Sequence, residues 1–535
     1  MLRFSLVWKN IFRANWRKKP PYGAASVISY LFVFMIFYNP VVSARRVIFY
    51  CISNIVNNIL FVKYYFSNSY IFLRGTNGQI KSKHPAAREC GAAIVRQVHK
   101  TIRHYFPDLF SRFNTLPDVR KRSNYQASEL LTGCVAMFLL REASRNAINN
   151  DRKEGKFREN YLKVFGLRLP HLDTVEDYLR LLDCAELEKL KAALVAGLIE
   201  QKVFYRFRLL GSHYTVAIDG TGTNSYAEND EKQTRLHKTS KNGKVTYYHH
   251  VVEAKLVTSN GLCISLASEW VANKEGAEFK KQDCEQKAFV RLATTLKKLF
   301  PRLPICILAD GLYPNKTFMQ TCKNNGWEFI VVLKDDSLKT LQQDIADIEG
   351  KHRRGTDVCL SHAKGMVQVQ QCYRWVEVPL TYESHTVYWL SCTETVTRYG
   401  KDSRPLQKQP APTTFVWLGS QKVTGKNVRQ LASAGRDRWK IENEGFNAQK
   451  NGGFALGHKF SRKNFNSYKN YYQCMQLAHL ISQLAEHAAN IAAMLKDGPR
   501  LTITHFWKQA LAWLTIALVD ASEFEANGRC QIRLG

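Results

Sequence analysis

Two apolar runs of the chain each end in an aspartate that is followed by a glycine. In residues 213–220 an apolar, β-branched run precedes Asp219, and in residues 304–311 a similar run precedes Asp310. Such runs are typical of short buried strands, and the glycine after each acid indicates a turn. We expect both carboxylates at the C-terminal tips of central strands, where open α/β sheets bind their ligands. For either aspartate alone, the alternative is a residue that only starts a turn.

The elements predicted between residues 213 and 345 alternate between strands and helices. A hairpin joined at Asn260-Gly261 follows the Asp219 strand, because Asn-Gly is a favourable two-residue turn. Helices are predicted at 281–300 and 316–324, on either side of the Asp310 strand, and a last strand is predicted at 327–333. This order of strands and helices resembles that of a ribonuclease H-like core.

Helical and β-rich regions flank and interrupt this pattern. The basic cluster Arg120-Lys121-Arg122 lies early in a region of helical spacing. Its positive charge has two interpretations, contact with DNA phosphates or a solvated surface loop. The predicted fold class is α/β, with a β-rich insertion in the core. Its predicted divisions are a basic apolar segment (1–88), a helical, DNA-binding region (89–210), the first part of the core (211–349), the insertion (350–425), a core helix (426–460) and a helical C-terminal region (461–535).

The predicted core helix, residues 435–450, carries a candidate third acid. Arg438 and Glu442 lie four residues apart and therefore share a helix face. A carboxylate beside an arginine stays ionised at neutral pH, which suits a metal ligand next to a phosphate. A surface ion pair is the alternative. Five other acids lie near these three positions in the sequence: Asp283, Glu285, Asp335, Asp336 and Glu444. For these, a helix cap, a turn or another face of the helix is the simpler interpretation.

Three carboxylates from separate elements can hold two divalent metal ions a few ångströms apart. Such a pair of ions is the apparatus for in-line attack on a phosphodiester. Asp219, Asp310 and Glu442 together therefore indicate phosphodiester chemistry more strongly than any one of them does alone.

The charge of the chain narrows the class of partner. A formal net charge of +32, with an isoelectric point of about 9.6, predicts a polyanionic partner, either nucleic acid or an acidic membrane surface. The 13 cysteines are scattered without a Cys-x-x-Cys pair, which argues against a structural zinc site and fits a reducing cytoplasm. At 535 residues, we expect more than one domain.

The first 88 residues differ in composition from the rest. They contain no Asp or Glu but 13 Lys or Arg, and residues 22–44 are uncharged and long enough to span a bilayer. Three interpretations stay open: a spurious N-terminal extension translated from a misplaced start, a real membrane segment, or a basic arm that faces DNA and folds against the core.

The order Asp219, Asp310, β-rich insertion and Arg-Trp-Lys-Ile-Glu442 resembles the Asp-Asp-Glu transposases of bacterial insertion sequences. It is most similar to the branch that has a β-strand insertion before the glutamate. That branch carries the signature Tyr-x2-Arg-x3-Glu-x6-Lys, which Arg438 and Glu442 match. The tyrosine position is Gly435, and the lysine position is Gln449, with Lys450 one residue later.

The resemblance implies a DNA transposase that cuts and joins the ends of its own element. Asp219, Asp310 and Glu442 would bind two Mg2+ ions, for which Mn2+ can substitute, without a small-molecule cofactor. The implied partners are the terminal inverted repeats and target DNA, bound by a homodimer in the cytoplasm at the nucleoid. The implied DNA-binding residues are Arg438, Trp439, Lys450 and Trp417; for either tryptophan the alternative is a place in the core.

Two other functions stay open at this stage. The first is a nuclease of the same fold, or a domesticated DNA-binding protein whose catalysis has lapsed. The second is a basic protein anchored in a membrane through residues 22–44. The intact set of three acids favours the transposase.

Overall fold

The computed structural model describes residues 87–535 except 122, 229–234, 274–282, 352–357, 365, 498–501, 526–531, 533 and 535. The basic segment 1–88, with its uncharged run 22–44, lies almost wholly outside the described residues, so its three interpretations stay predictions. In the described part of the chain, no helix is both long and apolar enough to cross a membrane.

Seven α-helices precede the first strand within the described residues. They are α1 (Ala87–Tyr105), α2 (Leu109–Asn114), α3 (Ala127–Leu139), α4 (Arg145–Asp151), α5 (Gly155–Phe165), α6 (Leu172–Leu181) and α7 (Cys184–Glu200). α3 is buried along its whole length and starts with a capping box, in which the N–H of Gln126 donates to Glu129. In the predicted basic cluster, Arg120 is paired with Asp118 at 2.6 Å and its side chain is 8% exposed, so its charge is neutralised within the protein.

In the described part of the chain, eleven strands form one mixed sheet. They are β1 (Tyr214–Tyr226), β2 (Leu236–Thr239), β3 (Val245–Val257), β4 (Cys263–Val271), β5 (Ile305–Ala309), β6 (Glu328–Val332), β7 (Val358–Lys364), β8 (Val367–Trp375), β9 (Leu380–Tyr382), β10 (His385–Arg398) and β11 (Thr413–Gly419). The main path is β2-β3-β1-β5-β6-β11-β10-β8-β7; β4 pairs with β3, and β9 pairs with β10.

The centre of the sheet is formed by β4, β3, β1, β5 and β6; Asp219 lies on β1, and Asp310 directly follows β5. β3 runs antiparallel to β1 and β4, whereas β5 runs parallel to both β1 and β6. The predicted hairpin forms, with Gly261 in its turn at a φ of 96°, which glycine adopts without a steric cost. This mixed α/β arrangement is compatible with the ribonuclease H-like core that the sequence predicts.

The remaining helices cover both faces of the sheet and complete the helical region. They are α8 (Glu285–Leu299), α9 (Lys316–Asn325), α10 (Lys339–Lys351), α11 (Val428–Asp437), α12 (Ala448–Asn451), α13 (Phe465–Glu486), α14 (Ala489–Asp497), α15 (Ile503–Ile516) and α16 (Ser522–Glu525). A π-helix, Ile441–Asn447, lies between α11 and α12. α13 is the central helix of the helical region and packs against α3, α6 and α7.

Alternate residues of β5 belong to two different hydrophobic clusters, as the two-residue period of a strand requires. Ile307 packs in one cluster with Phe289 of α8, and Leu308 packs in the other with Leu431 of α11. The parallel strands are therefore covered by helices on both faces, which leaves the ends of these strands as the accessible edge.

The predicted β-rich insertion extends the core sheet. β11 pairs antiparallel with β6 through Leu418 and Val331, and β10, β8 and β7 follow outward from β11. The chain then leaves β11 and enters α11, which packs against β5, β6 and β8. Because β11 adjoins β6, the insertion returns the chain to the central strands directly before the helix that leads to Glu442.

Candidate active site

Asp219 lies inside a long strand. β1 continues for seven residues beyond it, because β1 keeps its antiparallel pairing with β3 up to Tyr226. The expectation that Asp219 sits at the C-terminal tip of its strand is therefore wrong. Its position is instead the point at which β1 separates from β5, since the parallel pairing ends at Ala217 and Leu308.

Asp310 directly follows β5, as predicted. The parallel register pairs Ala217 with Leu308, and continuing it by two residues sets Asp219 level with Asp310. The side chain of Asp310 is held by the N–H of Leu312, which donates to its Oδ1 at 2.9 Å. The two aspartates thus reach the same edge of the sheet from neighbouring strands.

The pKa of buried Tyr313 is affected by several acids at this edge of the sheet. Burial raises the pKa of its hydroxyl first, and the charges of Glu285, Asp219 and Asp310 raise it further. The hydroxyl of Tyr313 is buried without a hydrogen-bond partner. Two of the predicted acids and Glu285 therefore lie near enough to Tyr313 to act on its hydroxyl.

Arg438 connects Asp219 with Glu442. Its Nη1 lies 2.8 Å from Oε1 of Glu442 and 3.9 Å from Oδ2 of Asp219. The side chain of Arg438 is 8% exposed, whereas that of Glu442 is 50% exposed. Nε of Arg438 is buried without a hydrogen-bond partner. A buried guanidinium with donor capacity left over lies between two of the three predicted acids.

The carboxyl group of Asp219 carries the clearest electrostatic signature of the site. Burial raises its pKa to about 7, Arg438 lowers it, Glu442 raises it, and the N–H of Gly220 lowers it by donating to Oδ1 at 2.9 Å. Glu285 raises it as well. A carboxyl group in this state is under-neutralised, so a further cation at this place would stabilise its ionised form.

Glu285 is a neighbour of the site that the sequence interpretation missed as a participant. Its Oε1 lies 2.8 Å from Nε2 of His250 on β3. A Cβ at Gly220 would lie 2.5 Å from both of these atoms, so only glycine fits there. The glycine after Asp219, which the sequence suggested as a turn residue, instead makes room for this Glu–His pair. No local pattern marks Glu285.

The other acids that lie near the predicted site in the sequence have an ion pair, a turn or a half-buried position of their own. Asp283 pairs with Arg291 at 2.7 Å, and Asp335 and Asp336 are exposed in the turn after β6. Glu444 is half-buried near Lys440 and Asp437, and one of its oxygens has no hydrogen-bond partner among the described residues.

Glu442 lies in the π-helix and not in a regular α-helix. A π-helix has i→i+5 hydrogen bonds, so it accommodates an extra residue relative to an α-helix, and such bulges are frequent at functional sites. Gly445 lies in the same segment, where a Cβ would approach Sγ of Cys263 to 3.1 Å. The extra residue changes which side chains of the following turn face the sheet.

Lys450 reaches the site and Gln449 does not. Nζ of Lys450 donates to Oγ1 of Thr221 at 2.7 Å, two residues beyond Asp219 on β1. Burial lowers the pKa of Lys450, and the charge of Asp219 raises it. Gln449 is fully buried and donates to Gln476 at 2.9 Å. The π-helix lies between Glu442 and Lys450 and adds a residue relative to an α-helix, so a residue one position later faces β1.

The two candidate tryptophans have different environments. Trp417 is 2% exposed and packs in the core, which is the alternative interpretation for it. Trp439 is 42% exposed, and its ring meets that of Phe415 edge-on at 5.6 Å. The guanidinium of Arg436 lies 4.4 Å from the ring of Phe415. Beside Arg438, only Trp439 of the two presents an aromatic surface to a ligand.

The donor types of the site suit a hard divalent cation, because carboxylate oxygens are the ligands that Mg2+ prefers. The positions of these side chains, in contrast, do not form a complete metal site. Among the residues that the structure describes, no group of three or more His, Cys, Asp or Glu side chains is placed to hold a metal ion. Arg438 holds Glu442 and approaches Asp219, so metal binding by both carboxylates requires the guanidinium to withdraw.

Comparison with known proteins gives distant structural similarity but no match in sequence. No protein-family model and no curated protein sequence matches the chain. The fold is similar to that of the piggyBac transposase in its synaptic complex with hairpin DNA, with a TM-score of 0.35 and 8% identity over 78% of this chain and 80% of that chain. A similarity of this size establishes no function, so the function is argued from the residues of the site.

Proposed function

We propose that the chain is a metal-dependent DNA transposase that cuts and joins the ends of its own insertion sequence. The observation that carries this proposal is the contact of one buried arginine, Arg438, with two predicted acids from separate elements, Asp219 and Glu442. The register of β1 and β5 supports it, because it brings Asp310 level with Asp219. The sequence order of these acids is that of the Asp-Asp-Glu transposases.

Asp219, Asp310 and Glu442 would hold two Mg2+ ions, for which Mn2+ can substitute. When bound, such ions supply activation of a water or a DNA 3′-hydroxyl and stabilisation of the leaving oxygen. Asp219, whose pKa is raised to about 7, would be ionised fully only when a cation joins it. Glu285 and His250 would keep their mutual contact beside Gly220 and hold the shape of this edge.

Arg438 and Lys450 would bind DNA phosphates. The planar guanidinium of Arg438 suits two phosphate oxygens, and a phosphate at this place would replace the carboxylates as its partner. Lys450 would add a point charge from the neighbouring turn. The exposed ring of Trp439 would stack on a base that leaves the duplex. Such stacking does not depend on which base it is, because every base has an aromatic face.

DNA would be bound mainly through its phosphates, and therefore in a salt-dependent manner. The net charge of +32 supports a polyanionic partner. The sites would be the terminal inverted repeats and then target DNA. Because both ends of an element must meet for strand transfer, we propose a homodimer on DNA.

A second candidate function is a DNA-binding protein of the same fold whose catalysis has lapsed. The ion pair between Arg438 and Glu442 at 2.8 Å favours it, since this pair neutralises a predicted metal ligand. The two candidates make the same prediction for DNA binding and opposite predictions for strand cleavage.

The reaction products separate these candidates. Full-length protein would be incubated with a duplex that carries the sequences flanking its coding region, in Mg2+ or in EDTA. The transposase proposal predicts Mg2+-dependent nicks with 3′-hydroxyl ends at the element boundary, followed by joined products when target DNA is added. Specific binding of the boundary without cleavage in Mg2+ or Mn2+ would support the lapsed protein, and nicks without joining would support a nuclease.

A further inference from the structure

We propose that a basic groove along α11 binds the phosphate backbone of the same DNA whose cleaved strand lies at Arg438. The groove lies between the segment 206–211 and the exposed side of α11, and its volume is about 620 Å3. This inference rests on the proposed function for the identity of the DNA. The groove itself is separate from the three acids.

The walls of the groove carry an excess of positive charge. Arg206 and Arg208 line one wall, and Lys426 and Arg429 line the other. Within the described residues, the single acid that lines the groove is Asp437. Its carboxylate is paired with Lys440 at 2.8 Å, so it does not offset the four cations.

Contacts within the protein hold the two arginines of one wall in place. The guanidinium of Arg208 lies 3.6 Å from the ring centre of Tyr205, and Nη2 of Arg206 donates to the carbonyl oxygen of Leu534 at 2.8 Å. On the opposite wall, Lys426, which precedes α11, and Arg429, in its first turn, are exposed. Charged side chains that are already held in place, as Arg206 and Arg208 are, lose less conformational freedom when they bind a strand.

The uncharged lining also suits phosphate. Amide and hydroxyl side chains, namely Asn427 at the N-cap of α11 and Gln430 and Ser433 within it, line the groove beside the cations. Proteins contact phosphate oxygens with this mixture of Arg, Lys, Ser, Asn and Gln. An apolar ligand would have to bury these polar groups without partners, at a cost in free energy.

The direction of α11 connects the groove with the site. Arg429 lies nine residues before Arg438, which corresponds to about 14 Å along a helix. Successive nucleotides of a duplex are about 3.4 Å apart along its axis, so this spacing matches about four base pairs. Along the axis of α11 the groove is therefore a few base pairs away from Arg438, but nine residues are also half a turn around a helix, so a duplex that contacts both Arg429 and Arg438 must pass across α11.

The test compares two variants. One loses two positive charges from the groove, and the other, the control, loses two from helices elsewhere on the protein. The groove variant is Lys426→Gln with Arg429→Gln, and the control is Lys298→Gln with Lys323→Gln on α8 and α9; all four side chains are exposed. Binding of full-length protein to a 40-base-pair duplex of arbitrary sequence would be measured in EDTA at several salt concentrations. Circular dichroism would confirm that each variant is folded.

Two lost phosphate contacts should lower the slope of log affinity against log salt by about 2 in the groove variant, since each contact contributes about 0.9. The control should keep the wild-type slope. Equal effects of both variants, or no effect of the groove variant, would overturn the groove proposal. Because no metal is present, this outcome is independent of cleavage: a groove effect without any Mg2+-dependent cleavage would reject the catalytic proposal and keep the groove.

Discussion

Trp417 fills the space that a side chain at position 435 would need. A Cβ at Gly435 would lie 2.6 Å from Nε1 of the Trp417 indole, which is too close for any real carbon–nitrogen contact. Gly435 is the position at which the resembled signature has a tyrosine. The glycine of α11 and the buried tryptophan of β11 therefore belong together, and the departure from the signature has a steric reason in this chain.

The first prediction concerns this contact. Gly435→Ala should destabilise the protein by about 1–3 kcal/mol, because the added methyl overpacks the core against Trp417. The matched control is Gly197→Ala in α7, where a Cβ would meet no atom within 4 Å. The control should be more stable by up to about 1 kcal/mol, since alanine is the better helix former. Chemical denaturation measures both; equal stability of Gly435→Ala and wild type would refute the contact.

A second prediction tests which residue serves as the basic group near the acids. Lys450→Gln should change the free energy of unfolding by no more than about 1 kcal/mol, because the residue lies at the surface and the change removes one hydrogen bond, to Thr221, yet reduce strand cleavage and DNA affinity. Gln449→Lys should destabilise the fold by several kcal/mol, about the cost of burying an unpaired ammonium. Gln449 is fully buried beside Gln476, to which the buried Lys255 also donates.

The double variant Gln449→Lys/Lys450→Gln restores the lysine spacing of the resembled signature. Because the π-helix directs position 449 into the core, cleavage should stay as low as in Lys450→Gln alone. Recovery of cleavage in the double variant would show that this segment is a regular helix when DNA is bound.

The raised pKa of Asp219 predicts a pH dependence of stability in metal-free buffer. Its folded pKa is about 7 against an ordinary value of 3.8, so between these values the folded protein binds more protons than the unfolded chain. The contribution of Asp219 to the free energy of unfolding therefore falls as pH rises from about 4 to 7. Asp219→Asn removes this loss and should be more stable than wild type at pH 8, by at most about 4 kcal/mol.

Denaturation curves of Asp219→Asn and wild type at pH 5 and pH 8 in EDTA check this prediction. The difference between the two proteins should be larger at pH 8. The exposed Asp336→Asn serves as control and should follow wild type at both values. A difference that shrinks between pH 5 and pH 8 would mean that Asp219 is well neutralised in the free protein.

The sequence indicated the two strands that carry Asp219 and Asp310 because their apolar runs are local and unambiguous. It did not indicate that β1 continues past Asp219, since the residues that follow are polar and are held by pairing with β3, up to Tyr226 with Tyr247. Such pairing joins segments distant in sequence, and no local pattern reports it.

The arrangement around Glu442 was only partly predictable for a similar reason. The contact of Arg438 with Glu442 follows from their spacing, but the π-helix has no sequence pattern of its own and arises where Gly445 packs against Cys263 and Lys255. Glu285 reaches the site through space that Gly220 leaves open. Both features depend on tertiary contacts, which the order of residues does not reveal.

The central claim is that Asp219, Asp310 and Glu442 act together in DNA strand cleavage. Single-turnover cleavage of an element-boundary duplex in Mg2+ tests it most directly, with full-length wild type, Asp219→Asn, Asp310→Asn and Glu442→Gln, and with Glu444→Gln as the matched control on the same π-helix. We predict a loss of about a hundred-fold or more in each of the three variants, because each removes charge that the transition state needs, and near wild-type cleavage by Glu444→Gln. Cleavage that survives Glu442→Gln would contradict the account.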